Sequence, residues 1–419
     1  MSNICDASIE VISLVLNNVY QQSDLYQCAL VNKSFYATAN QLLWHEPRQM
    51  TRGNQRVGNF IFCLLQSFRQ ADKHCLHSTP LGHYVRKLYI AYDTSLQDLH
   101  SVINNVPLVE ELVIRISKLR NKDVEQVVLN CPQLKRLSLN FYVDVPSPFY
   151  DFLRHCTNLR QFNIITISNP KRLLASLQHC QLEKLRFCAL CFDRDLTEDT
   201  FFGGISTLTH LDMRCDTGAL FRYCQTPPSR TLFPALTYLR IGRCGKYGIF
   251  DNDAVVLFVK AHSFIRTLIL ERTQIDTALM TSLATDLVHL QRLNLVENGN
   301  LPPFTKVFHR VERLTLRGCH MNGEHMAMYF PNLHYIHVAD DISTWRHEDD
   351  ISRLDRPTIE TLTKLTYLDF TSYESVPGDL KVHLPRRMGG QLIKEDLDHI
   401  RETALGLVWI EQCVFYSLN

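Results

Sequence analysis

The chain has 419 residues, of which 45% are hydrophobic and 21% charged, with a formal net charge of +1. That supplies apolar material for a long continuous core, and a charge so near zero gives no general attraction to nucleic acid or to a membrane surface. With no basic segment leading into a short apolar one at the start and no run of eighteen apolar residues, the expectation is a chain neither secreted nor membrane-spanning, working in the cytoplasm or nucleus.

Residues Ala7 to Trp44 read as three short helices. Val11, Ile12, Val15, Leu16 and Val19 recur at the spacing of one helix face. Ser23 and Asp24 are placed to cap a second helix carrying Leu25, Cys28 and Ala29, and Asn32 to cap a third carrying Phe35, Ala39, Leu42 and Leu43. A unit this small buries little surface alone, so part of its apolar face is expected to belong to a partner.

This segment resembles an F-box, the helical module that docks substrate receptors on the Skp adaptor of cullin-RING ubiquitin ligases. The opening pattern LPxEILxxIFxxL runs over Ala7 to Val19. The middle, DLxxCxxVxxxW, falls on Asp24, Leu25, Cys28, Val31 and Phe35, and the closing LLW is Leu42-Leu43-Trp44. Ala7-Ser8 stands in place of the family's Leu-Pro pair, and Phe35 in place of its Trp. The resemblance implies that adaptor binding is carried by Val11, Ile12, Val15, Leu16, Leu25, Val31 and Phe35, the positions of the family's apolar interface and inter-helix core. The F-box-like domain covers residues 1–48. A helical linker at 49–84, with its helix at Phe60 to Asp72, joins that domain to the remainder of the chain.

From residue 85 to the end the chain is a tandem repeat with the consensus L-x-x-L-x-L. Twelve anchor triplets run from Val85-Leu88-Ile90 to Leu365-Leu368-Phe370, with Leu407-Ile410 as a degenerate thirteenth. The spacing is about 25 residues, the range of leucine-rich repeats. Between anchors the period changes. Ser147-Pro148 and Asn169-Pro170 read as an N-cap followed by Pro at the first helical position, Asp276 is placed to cap the next clear helix, and another starts at Asp253. One strand and one helix per repeat predict an α/β fold: an F-box followed by a leucine-rich-repeat horseshoe of the ribonuclease-inhibitor type, strands on the concave face.

No catalytic motif is present: no HExxH, phosphate loop, dinucleotide turn or nucleophile elbow. The expectation is a protein that is not an enzyme and needs no cofactor or metal. The fourteen cysteines do not alter this. Cys131 and Cys156 sit three residues before a first anchor, and Cys244 and Cys319 three after a third, which are register positions for small buried side chains. Cys188 and Cys191 form a lone CxxC without a second pair at zinc spacing. The eighteen histidines read as solvated loop and rim residues.

In L-x-x-L-x-L the second and third anchors face the core, so the residues flanking and separating them face the concave side. On those positions ten cations stand against four anions. The cations are Lys87, Arg115, Arg136, Lys184, Arg186, Arg214, Arg240, Arg292, Arg313 and Arg317; the anions are Glu111, Asp212, Glu271 and Asp369. An arginine-rich stripe suits an acidic or phosphorylated segment, because guanidinium forks pair bidentately with carboxylate and phosphate. Arg186, Arg214, Arg240, Arg292, Arg313 and Arg317 are the expected substrate-binding residues. Insertions at 216–234, 340–357 and 371–392, the last two bearing Trp345 and Tyr373, are long enough to be functional. The function expected from this combination is substrate recognition in an SCF-type ligase, with a protein substrate on the repeats. A leucine-rich-repeat scaffold outside any ligase and a nucleic-acid-binding solenoid are the other readings.

Overall fold

An L-x-x-L-x-L segment laid out as a strand sends its second and third anchors to one side and the residues around them to the other, so each strand carries one dry face and one wet one. The computed structural model describes residues 7–47, 54–72, 79–91, 94–116, 121–139, 147–167, 170–189, 204–214, 221, 231–243, 250–320, 326–339, 359, 361–370, 393–395 and 397. It divides into two units, residues 1–187 and 188–419.

The first unit opens with helices α1 (Ile9–Leu16), α2 (Gln22–Ala29) and α3 (Lys33–His45). Their core is Ile12, Leu16, Leu25, Ala29, Phe35 and Ala39. Asn32 caps α3 as its sequence suggests, its Oδ1 accepting from the Phe35 N–H at 2.9 Å. Ser23 and Asp24 do not cap α2. That helix begins earlier, behind Gln21, and Asp24 lies in its first turn, where a negative charge suits the helix dipole. The linker helix α4 (Asn54–Asp72) is longer than the Phe60 to Asp72 reading.

Strands β1 (Lys87–Ile90), β2 (Glu111–Ile114), β3 (Arg136–Leu139), β4 (Gln161–Ile167) and β5 (Lys184–Ala189) come next in order, alternating with helices α5 (Leu96–Ile103), α6 (Asn121–Asn130), α7 (Ser147–Leu153) and α8 (Pro170–Leu177). The first four of these strands pair in parallel with their anchors in register, for example Leu88 with Leu112 and Leu112 with Leu137. The helical module is spliced onto this sheet. Its Trp44 stacks on Phe60 of α4 at 5.3 Å, and the His45 carbonyl accepts the N–H of Arg86 at 3.0 Å, just ahead of β1.

The second unit contains β6 (His210–Arg214), β7 (Tyr238–Gly242), β8 (Thr267–Glu271), β9 (Arg292–Asn300), β10 (Arg313–His320), β11 (Tyr335–Ala339) and β12 (Tyr367–Phe370). These too are parallel and in register at their anchors, with one shift between β9 and β10 past Arg317. Helices α9 (Asn252–Ala261), α10 (Thr277–Asp286) and α11 (Met326–Tyr329) lie between strands. Asp276 caps α10, accepting from Leu279 N at 2.7 Å, and Asp251 rather than Asp253 caps α9, accepting from Ala254 N at 3.0 Å.

Neighbouring repeats share backbone donors in a fixed way. In the first unit the Arg86 carbonyl accepts the N–H groups of both Glu110 and Glu111, Glu110 serves Lys135 and Arg136, and Lys135 serves Arg160 and Gln161. In the second, Thr209, Thr237, Arg266, Gln291, Glu312 and His334 do the same for the repeat after each. One carbonyl with two lone pairs therefore satisfies two donors at the start of each of these following strands.

Three residues before most first anchors the chain turns inward and the side chain there is buried, as at Val106, Cys131, Cys156, Phe233, Leu287 and Phe308, whereas His179 before Leu182 is exposed. His262 occupies this position in its repeat and is 4% exposed, which corrects the expectation of solvated histidines. Its ring stacks on Phe258 at 4.1 Å. Nε2 accepts the Phe233 N–H at 3.3 Å, so the ring proton sits on Nδ1 and is donated to the Phe258 carbonyl at 2.8 Å. Burial holds the imidazole pKa below its ordinary value, outweighing the hydrogen bond to Phe258. A depressed histidine pKa means that the unfolded chain takes up the proton first. Stability is then full above about pH 6.5, the unfolded value, and falls as the pH drops below it. His262→Leu, which copies the residue at Leu287, is expected to flatten this fall; urea unfolding at pH 7.5 and pH 5.5 for both proteins measures the difference.

Candidate interaction surfaces

The helical module shows two apolar faces. Its own core takes Ile12, Leu16, Leu25 and Phe35, each 7% exposed or less. Of the set that the resemblance gave as the apolar interface and inter-helix core, these four belong to the core. Val11, Val15 and Val31 of the same set remain about half exposed, joined by Ile9, Leu14 at 69%, Leu30 and Tyr20. On α1 the buried pair Ile12 and Leu16 sits beside the exposed Val11 and Val15, so this helix is apolar on more than the face its core needs. Leu14 and Leu30 were missed by motif reading, and their signal was a hydrophobic residue left over after the inward face was filled.

On the repeats, the six expected arginines part company. Arg186 is an exposed residue of the first unit, on β5. The other five lie in the second unit, where two of them are already committed. Arg214 Nη2 donates to Glu271 Oε2 at 3.0 Å, and Arg240 donates to the same oxygen through Nε at 3.1 Å and also through Nη2. Asp212 approaches Arg240 Nη1 at 3.8 Å. Two cations and two anions make a neutral knot, so Arg214 and Arg240 of the expected substrate-binding set are paired within the protein. Burial pushes the Glu271 carboxyl up, but the hydrogen bond from Arg240 and the charges of Arg240, Arg214 and Arg272 outweigh it and hold the pKa low. Gly242 lies in register between Arg214 and Glu271, and a Cβ there would stand 3.1 Å from the Arg214 Cγ, crowding the arginine side chain.

Arg292, Arg313 and Arg317 on β9 and β10 are exposed, and among the described residues none has a carboxylate within ion-pair distance. Arg292 and Arg313 are direct partners across the two strands. The Arg313 guanidinium lies over the Tyr335 ring at 5.7 Å, and Tyr335 stacks on Tyr367 at 5.0 Å with 6° between the planes. Next to the tyrosines, His337 Nδ1 meets Asp369 Oδ2 at 3.0 Å.

No group of three or more metal-ligating side chains occurs among the described residues. Cys131, Cys156, Cys180 and Cys319 are buried free thiols. Burial pushes the first two up to about 12 and Cys180 to about 11, so none of these three is a thiolate at neutral pH. Cys188 is half-buried, while Cys191, Cys244, Trp345, Tyr373, the insertions at 340–357 and 371–392 and Leu407-Ile410 fall outside the described residues. Among the described residues no helix is long and apolar enough to cross a membrane.

No family model and no curated protein sequence matches the chain. Solved structures similar to it include the Rad7 and Elc1 complex of yeast, at 14% identity over 92% of this chain and 96% of that one, with a TM-score of 0.40. Others are the internalin InlF of Listeria monocytogenes, at 13% identity over 66% and 82% with a TM-score of 0.34, and the mouse RP105/MD-1 complex, at 14% over 62% and 43% with 0.38. The class is defined by the chain's own geometry. In-register parallel strands with L-x-x-L-x-L anchors, and helices between them, make this a leucine-rich-repeat protein with an α/β solenoid architecture.

Proposed function

We propose that this protein is the substrate-recognition subunit of an SCF-type cullin-RING ubiquitin ligase, its F-box-like module docking on the Skp adaptor and its repeats holding a protein substrate. The observation that carries the reading is the outward apolar flank of α1, Val11, Leu14 and Val15, set beside a core already complete without them. An exposed cluster of this kind on so small a module marks an interface. The reading makes the chain non-catalytic: it raises the local concentration of substrate at subunits that transfer ubiquitin. The cytoplasm and nucleus are where such a ligase works. The basic part of the repeat surface, Arg292, Arg313 and Arg317, suits an acidic or phosphorylated substrate.

A second reading, a leucine-rich-repeat scaffold outside any ligase, draws on the splice between α3 and β1, where the His45 carbonyl serves Arg86 as an end cap would. Recovery of the tagged full-length chain from cells separates the two. Wild type is expected to bring the adaptor with it, and Val11→Asp with Val15→Asp is expected to lose it while keeping its thermal midpoint, since a charge forced into an apolar contact costs several kcal/mol. A wild-type chain that never recovers the adaptor, or a variant that recovers it equally, sinks the ligase reading.

A further inference from the structure

Arg292 and Arg313 are neighbours in register on the parallel strands β9 and β10, which sets two like charges side by side. The carboxylates nearby are engaged elsewhere: Glu271 by Arg214 and Arg240, Glu297 by Arg272, and Asp369 by His337. Arg317 adds a third exposed cation on β10, four residues along and on the same side as Arg313. A tetrahedral dianion bound by these two neighbouring arginines relieves their repulsion and can accept from both, which a single carboxylate does less completely.

Beside this cation pair the surface changes character. The Arg313 guanidinium and the rings of Tyr335 and Tyr367 form a stack of three planar groups across β10, β11 and β12. Burial and then the Asp369 charge push both phenols above their ordinary pKa, so they are neutral donors at any physiological pH. An aromatic platform of this kind takes another ring by stacking or edge contact.

We infer that the β9–β12 stretch binds a phosphorylated protein segment in polyproline-II form that carries an aromatic residue three positions from the phosphoresidue. This rests on the reading that the repeats hold a protein substrate. The spacing comes from the sheet. Neighbouring strands are about 4.8 Å apart, so the point between Arg292 and Arg313 lies two strand spacings, about 10 Å, from the point between Tyr335 and Tyr367. A polyproline-II chain rises about 3.1 Å per residue with three residues per turn, so positions i and i+3 are about 9 Å apart and point the same way. An ordinary β-strand would turn them to opposite sides.

The test uses the full-length chain and nine-residue fluorescent peptides read by anisotropy. They contain phosphoserine with Phe three positions after it or three before it, and matched peptides that are unphosphorylated, carry Ala for Phe, or have Phe two positions away. One of the two phosphoserine–Phe peptides is expected to bind at least about tenfold more tightly than its unphosphorylated form. Exchanging Phe for Ala, or moving it, is expected to cost about threefold to tenfold. Arg292→Gln with Arg313→Gln should erase the phosphate preference, and Tyr367→Ala should erase only the Phe preference. Equal binding with and without phosphate, or a phosphate preference that survives loss of both arginines, overturns the inference. Adaptor recovery from cells separates the two readings: peptide binding without adaptor leaves this inference standing and removes the ligase, whereas adaptor recovery with no phosphate preference does the reverse.

Discussion

Glu271→Ala is expected to lower the stability of the second unit by roughly 2–3 kcal/mol, somewhat less than for a fully buried pair because Arg214 is a third exposed. The loss is not the worth of a salt bridge; it is the cost of leaving two guanidinium groups side by side with the anion between them gone. Glu271 itself is 10% exposed at the side chain and Arg240 25%, so water can replace little of what is removed. Adding Asp212→Asn, Arg214→Met and Arg240→Leu to Glu271→Ala should recover most of the loss, since the four positions then hold no charge. Urea unfolding of the single and quadruple variants reads both numbers. A single variant within about 0.5 kcal/mol of wild type would mean that the knot behaves as an ordinary surface pair.

Asn298→Ala should cost at least as much, roughly 3 kcal/mol or more, because it orphans several buried groups at once. The Asn298 Oδ1 accepts from both the N–H and the hydroxyl of Thr273 at 2.7 Å, and its Nδ2 donates to the Leu270 carbonyl at 3.0 Å. Cys319, like Asn298 three residues after the third anchor of its repeat, reproduces the bond to the preceding anchor, its thiol donating to the Leu295 carbonyl at 3.2 Å. Asn298→Cys is therefore expected to lose less than Asn298→Ala. The same urea series tests the order, and equal losses for the two would show that the hydrogen bonds to Asn298 do not carry its contribution.

The repeat anchors were legible because every one of them answers to a local rule: an apolar residue at a fixed offset on a strand with one dry side. From Val85 through Leu368 these anchors are buried. Caps at Asn32 and Asp276 were legible for the same reason, being settled within four residues. The Glu271 knot was not. Its members are 57 and 31 residues apart in sequence, and they meet only because the register of β6, β7 and β8 aligns them. A sign was present in Gly242, a glycine within a strand between an arginine and a glutamate in matching register, which marks a close crossing. His262 escaped notice because its residue type argued for solvent while its register argued for the core, and register prevailed. The module divided likewise: helical spacing found the apolar residues of α1 but could not say which pair its own neighbours would cover.

The doubly used carbonyl at each repeat junction makes the solenoid of each unit modular in length. Because every junction offers the next repeat the same acceptor for the same two donors, removing one whole repeat from within a unit returns an identical pair of ends to be joined, while removing half of one leaves a donor pair facing nothing. Backbone hydrogen bonding therefore favours gain or loss in steps of a full strand-and-helix period. Each such step also shifts the surface residues by one strand, so that a new side chain is brought beside Arg313 together with the buried anchors of its own repeat.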